Sequence, residues 1–303
     1  MTARPRRVPS AAAGLAAAVL LAGACGGNGH APGAGTPGRS RSITPAPSGG
    51  AAAGFAAFGD FGTGGARQRE VADAMLRWAA AGHRIDALVG TGDNVYPDGD
   101  PALFRTRLDA PYAALRATRP MWITLGNHDV RDGRGADQLR HLGLPALPYE
   151  RRLPGLQFLF MDADHPDASQ SAWLESRLAE PGPRFRVVVF HQPAWSCSQH
   201  GSTPAVDERW VPILERHRVA LVLNGHDHNY QRFVSAKGVT YVVTGGGGQH
   251  LYDLRTGCAT PPRVAAAKRY HFTAVELRAG ALQLTAVAAD GEVIDRATIR
   301  PAG

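Results

Sequence analysis

Short apolar runs alternate with helical periodicity from residue 54 to about residue 250. Runs rich in Val, Leu, Ile and Phe predict strands at 54–59, 86–92, 121–126, 156–162, 186–191, 219–224 and 239–244. Between several of them apolar residues recur every three or four positions, predicting amphipathic helices at 68–81, 102–115, 169–179 and 207–217. Trp78 and Trp173, spaced with Leu76, Leu174 and Leu178, read as core on two of these helices. The alternation argues for an α/β domain. Residues 271–299 have two turn signals and no helical stretch, so they read as an antiparallel meander closing a second sheet.

The pattern is absent before residue 54. Residues 1–25 read as an export leader, with a basic start, an apolar run at 11–22 and small residues before Cys25. Twelve apolar residues are too few to span a bilayer, which needs about 20. "LLAGAC" resembles a bacterial lipoprotein processing box, although Ala22 stands where Leu is usual. A lipid anchor on Cys25 and plain secretion both remain open. Arg6-Arg7 suggests twin-arginine export, and the flanking Pro5 and Pro9 depart from that pattern. Residues 26–53, rich in Gly, Pro, Ser and Thr, have little to bury and are expected to form a solvated tether in which His30 is inert. The folded domain is expected at 54–303.

The chain of 303 residues has a net charge of +7, and Arg4, Arg6, Arg7, Arg39 and Arg41 account for five of those charges. That leaves +2 beyond the tether, without a Lys/Arg run, which argues against nucleic-acid binding. Cys197 and Cys258 form an even pair that suggests a disulfide in an oxidising exterior; two buried thiols are the alternative.

Chemistry collects where the predicted strands end, the usual place in open α/β sheets. The first is followed by Asp60, the second by Asp93 and Tyr96, the third by Asn127, His128 and Asp129, the fifth by His191, and the sixth by His226 and His228. Any one of these reads as a turn or cap residue, but five at one sheet edge are improbable by accident. Carboxylates, an amide, imidazoles and a phenol without a thiol suit Fe, Mn or Zn. There are donors enough for two cations sharing a carboxylate, the arrangement used for in-line displacement at phosphorus.

The ordered set Asp60-Phe61-Gly62, Gly92-Asp93-Asn94-Val95-Tyr96, Gly126-Asn127-His128-Asp129, Val188-Val189-Phe190-His191 and Gly225-His226-Asp227-His228 resembles the five motifs of the calcineurin-like metallophosphoesterases. Within them it resembles the purple acid phosphatases of the small mammalian, tartrate-resistant type. Gly62 stands where general members have His, and Tyr96 supplies the purple-type tyrosine. The resemblance covers roughly residues 55–250. It implies a four-layer α/β/β/α sandwich of two mixed sheets flanked by helices.

It further implies a binuclear centre. Asp60, Asp93, Tyr96 and His228 would hold Fe(III). Asp93 would bridge to an Fe, Mn or Zn divalent ion completed by Asn127, His191 and His226. His128 would contact substrate phosphate and protonate the leaving alkoxide, and His200 would be a second substrate-contacting histidine. Asp227 would point away and bond a loop backbone. The implied protein is an exported monomeric phosphatase that hydrolyses small phosphomonoesters through metal-activated hydroxide, with an optimum below pH 7. A phosphodiesterase or nucleotidase on the same centre, and a non-catalytic surface lipoprotein, are the alternatives. The glycines of 244–250 lack the Lys and Ser/Thr of a P-loop and read as backbone passing close to the metals. His83, His141, His165, His217, His250 and His271 lie outside the motifs and read as structural.

Overall fold

The computed structural model describes residues 50–300. The expected leader, Cys25, His30 and most of the tether lie outside the described residues. The strands are β1 (Ala53–Phe58), β2 (Ala87–Gly90), β3 (Met121–Ile123), β4 (Tyr149–Leu153), β5 (Leu156–Phe160), β6 (Phe185–Val189), β7 (Leu221–Asn224), β8 (Tyr230–Val234), β9 (Thr240–Thr244), β10 (Arg263–Ala267), β11 (His271–Arg278), β12 (Ala281–Ala288) and β13 (Val293–Ile299). The helices are α1 (Ala66–Ala80), α2 (Ala113–Arg116), α3 (Gly135–His141), α4 (Ala168–Ala179) and α5 (Pro204–Arg216).

Two mixed sheets result, ordered β13-β12-β11-β1-β2-β3 and β10-β8-β9-β7-β6-β5-β4. Strands β1, β2 and β3 run parallel, as do β5, β6, β7 and β9. Their carboxyl ends therefore share one edge of each sheet. The sheets pack through a continuous apolar layer, in which Phe55 of β1 meets Phe158 of β5 edge-on with centroids 4.9 Å apart. A second layer lies outside the second sheet, where Val188, Phe190 and Val222 meet Leu174 and Leu178 of α4 and Val206, Trp210 and Leu214 of α5. Helix α1 covers the first sheet, with Trp78 edge-on to Phe272 of β11. Burying a Phe or Trp side chain contributes roughly 1.5–3 kcal/mol each, so these layers hold the sheet edges in place.

Four sequence expectations are corrected. The meander β11–β13 does not close the second sheet; β11 pairs antiparallel with β1 and extends the first. The second sheet is completed instead by β4, β8 and β10, which apolar patterning missed. The helix expected at 102–115 is broken into short turns around Pro111. Proline has no amide hydrogen and crowds the carbonyl four residues back. That carbonyl, of Arg107, accepts instead from Gln68 Nε2 at 2.6 Å. Finally, part of the expected tether joins the domain: Ala52 N donates to Leu277 O at 2.8 Å, and Ala53 opens β1.

Candidate metal centre

The two sheet edges meet at the loops that follow β1, β2, β3, β6 and β7. His226 N, after β7, donates to both carboxylate oxygens of Asp60, after β1, at 3.1 and 3.0 Å. Asp60, Asp93 and His226 are non-glycine residues with positive φ, at 57°, 54° and 71°. Left-handed backbone of this kind costs on the order of 1–3 kcal/mol per residue and persists where surrounding bonds hold it. Here it turns three polar side chains inward at the ends of apolar strands.

Asp60, Asp93 and His228 present ligand atoms that lie within 4.8 Å of one another. The Tyr96 hydroxyl joins them, 2.9 Å from Asp93 Oδ2, 3.2 Å from His228 Nε2 and 3.4 Å from Asp60 Oδ1. His191 Nε2 lies 3.5 Å from Asp93 Oδ1 and 3.3 Å from His226 Nδ1. The far nitrogens of two rings are tied back: His191 Nδ1 to Thr91 O at 2.9 Å, and His228 Nδ1 to His250 O at 2.7 Å. Both Nε2 atoms are thereby aimed at the cluster. Asn127 Oδ1 is buried and has no hydrogen-bond partner among the described residues.

Burial and charge divide the acids and bases of the cluster. Burial pushes the Asp60 carboxyl up, with His228 opposing it. Burial acts on Asp93 too, but His191 and His128 outweigh it and hold that carboxyl well below its usual range. Burial disfavours the His191 cation, yet Asp93 and Asp60 lift it to about 10. His226, desolvated and beside His191 and His200, is pushed down to about 2 and keeps a free lone pair. Burial, then Asp60 and Asp93, push the Tyr96 phenol well above 10. Two carboxylates, a phenol and three imidazoles so crowded form a donor set for cations, whose charge would reverse this balance.

The loops are braced from behind. Asp129 lies outside the donor cluster and accepts from the amides of Asn94, Val95 and Gly126 at 2.9–3.0 Å, locking the loop after β2 to the loop after β3. Asp227 turns away from the centre and accepts from His200 N at 2.9 Å and Gly201 N at 3.1 Å, as the motif implied. His200 is exposed, its ring stacked on His226 with centroids 4.1 Å apart. His128 Nδ1 meets Pro97 O at 2.6 Å, and its Nε2 lies 4.0 Å from Asp93 Oδ2. The glycine run passes close by: a Cβ on Gly245 would sit 2.7 Å from Asp60 Oδ2. At Gly92, with φ +97°, a Cβ would meet the His191 ring at 2.5 Å.

All seven expected donors thus lie at this edge or in the loops that form it. Cys197 and Cys258 are bonded as a disulfide, their Cα atoms 5.6 Å apart. His83, His141, His165, His217 and His271 pair with polar groups away from the cluster. His250 is the exception among the histidines read as structural, since its carbonyl orients His228. Sequence reasoning passed over Tyr252, whose ring stacks on His228 with centroids 4.0 Å apart. No strand-end signal marks it.

The family model for calcineurin-like phosphoesterases matches residues 54–230. Purple acid phosphatase 4 of Arabidopsis thaliana is 28% identical over 246 residues, 68% of this chain and 71% of its own. Tartrate-resistant acid phosphatase type 5 of Oryctolagus cuniculus is 38% identical over 79 residues, 26% of this chain and 24% of that enzyme. Among solved structures, the purple acid phosphatase PPD1 of yellow lupin (Lupinus luteus) seeds superposes with a TM-score of 0.72 at 18% identity, covering 81% of this chain and 53% of that one. The chain belongs to the calcineurin-like phosphoesterase family and, with purple acid phosphatases among its relatives, is a hydrolase of phosphoric ester bonds.

Proposed function

We propose that this protein is an exported, purple acid phosphatase-like enzyme that hydrolyses small phosphomonoesters at a binuclear centre. The carrying observation is the convergence of Asp60, Asp93, Tyr96 and His228 within hydrogen-bonding distance at the edge where two sheets meet. The buried Asn127 Oδ1, without a partner among the described residues and in a loop of the centre, is consistent with the fit, because such an acceptor is free to take an ion or a water. Asp60, Tyr96 and His228 would hold Fe(III), with Asp93 shared. Asn127, His191 and His226 would complete a divalent Fe, Mn or Zn site. When bound, the ions supply Lewis acidity and a water of lowered pKa.

The remaining steps fall to the chain itself. His128, its Nδ1–H held by the Pro97 carbonyl, faces the cluster with Nε2, and in its imidazolium form would donate the Nε2 proton to the leaving alkoxide oxygen and be left as the neutral Nδ1–H imidazole. His200, its loop fixed by Asp227, would bind the phosphate from the other side. The leader-like start and the Cys197–Cys258 disulfide support export to an oxidising compartment, with a lipid anchor on Cys25 as an alternative to free secretion. The protein is read as a monomer.

Metal analysis with a visible spectrum tests the centre, and parallel assays on p-nitrophenyl phosphate and its bis ester test the substrate class. We expect iron, a tyrosinate charge-transfer band, faster monoester turnover and an optimum below pH 7. Absence of iron and of the band would move the centre to Mn or Zn. A faster bis ester would make the enzyme a phosphodiesterase, and an optimum above pH 9 would count against iron.

A further inference from the structure

The segment after the glycine run lies beside the centre, and no strand-end motif accounts for it. Tyr252 stacks on His228 with an interplanar angle of 15°, and its ring centroid is 5.3 Å from that of His200. Its backbone is fixed at both polar groups: N–H donates to His228 O at 3.1 Å, and the carbonyl accepts from Asn229 Nδ2 at 3.4 Å. Ser198 Oγ donates to the next carbonyl, of Asp253, at 2.9 Å, and the Cys197–Cys258 disulfide ties this segment to the His200 loop. The Tyr252 hydroxyl is different. It bonds to none of the described residues and is not sealed from solvent, although the residue is only 9% exposed.

Tyr252 and His200 therefore stand over adjoining imidazoles, one on His228 and the other on His226. A group lying across the two histidines would meet both. A phenol O–H offers a hydrogen and no charge.

We propose that Tyr252 is a specificity-determining residue of the cleft, its hydroxyl donating a hydrogen bond to a non-bridging oxygen of a phosphomonoester. The inference rests on the phosphatase reading above. A monoester carries three non-bridging phosphate oxygens and a diester two, so an extra donor on this wall favours the monoester. A hydrogen bond to a charged acceptor is worth about a factor of ten in binding.

The test is Tyr252→Phe in the metal-loaded protein, which keeps the stacking ring and removes the hydroxyl. Calorimetry with inorganic phosphate should show binding about tenfold weaker than in the wild type. The kcat/KM for p-nitrophenyl phosphate should fall about tenfold, mainly through KM, while the bis ester shifts less than threefold. Metal content and visible spectrum should be unchanged. Equal phosphate affinity in the two proteins overturns the proposal. So does loss of metal or a spectral shift in Tyr252→Phe, which would make the hydroxyl a support of the centre. If the wild type fails to hydrolyse either ester, the phosphatase reading fails, and phosphate calorimetry still decides the role of Tyr252.

Discussion

The two halves of the candidate centre are built differently. Asp60, Tyr96 and His228 are nearly sealed and bonded to one another at 3.2–3.4 Å. Behind them lie the glycine run and His271, whose N–H donates to Gly246 O at 3.0 Å. In the other half His191 Nε2 and His226 Nδ1 approach at 3.3 Å, but Asn127 Oδ1 has no hydrogen-bond partner among the described residues, and His226 is covered on one side by the exposed His200. In the proposed assignment the first half has its donors bonded to one another, whereas the second has one, Asn127 Oδ1, without a partner among the described residues. Preorganisation lowers the cost of binding, so the Asp60 half should hold its ion more tightly. Asp93 belongs to both, through Tyr96 at 2.9 Å and His191 at 3.5 Å.

Substitution of Asp93 should affect both halves at once. Asp93→Asn should cost at least about a thousandfold in kcat, roughly 4 kcal/mol, with loss of metal from both halves. The measurements are p-nitrophenyl phosphate turnover and metal content on the same preparation. Retention of both ions would show that the halves do not depend on a shared carboxylate.

The next effect concerns the cover over both halves. Cys197 and Cys258 close a loop of 61 residues, worth roughly 4 kcal/mol of stability on the chain-entropy model. Replacing both with Ser should lower unfolding stability by that order in a urea titration. A loss under about 1 kcal/mol would instead assign the fixing of this loop to its hydrogen bonds, such as Cys197 N to Gln231 Oε1 at 2.8 Å.

Much of this arrangement was legible in the sequence, for a specific reason. Parallel strands are buried on both faces and read as unbroken apolar runs, and they deliver their polar residues at one edge. Strands β4 and β10 close the second sheet at its margins, and β4 carries Glu150, Arg151 and Arg152, so apolar patterning passed over them. The motif residues could be seen, but not their aim. The left-handed turns at Asp60, Asp93 and His226 are only weakly signalled, because Asp and His adopt positive φ more often than most residues but far less often than glycine. Tyr252 was invisible for a related reason, since only the stacking on His228 brings that loop into the cleft.

The Asp60 half also rests on a group that responds to acid. His271 is fully buried against Thr244 and the Arg269 carbonyl, and burial lowers it from 6.5 to about 4. A histidine lowered in the folded state binds protons more readily when unfolded, so stability is full above pH 6.5 and is lost as pH falls toward 4. The loss is at most roughly 3 kcal/mol, at about 1.4 kcal/mol per pH unit. His271→Gln should flatten the dependence of stability on pH in that window. An unchanged slope would place the acid-sensitive group elsewhere.

The smallest effect separates the halves most directly. Asn127 offers an amide oxygen that no donor among the described residues satisfies, and it takes no part in the bonds among Asp60, Tyr96 and His228. Asn127→Ala should therefore weaken the second ion by at least about 10–100-fold, the loss that follows when even an outer-shell partner of a metal ligand is removed. If Tyr96 holds the proposed Fe(III), its tyrosinate band should keep its position and intensity. Stepwise chelation of the wild type should reproduce this order, with half of the metal leaving first and the colour last. If Asn127→Ala bleaches the protein while a colourless ion remains bound, the ranking is reversed. The unpaired oxygen would then matter more to assembly of the centre than the bonded cluster beside it.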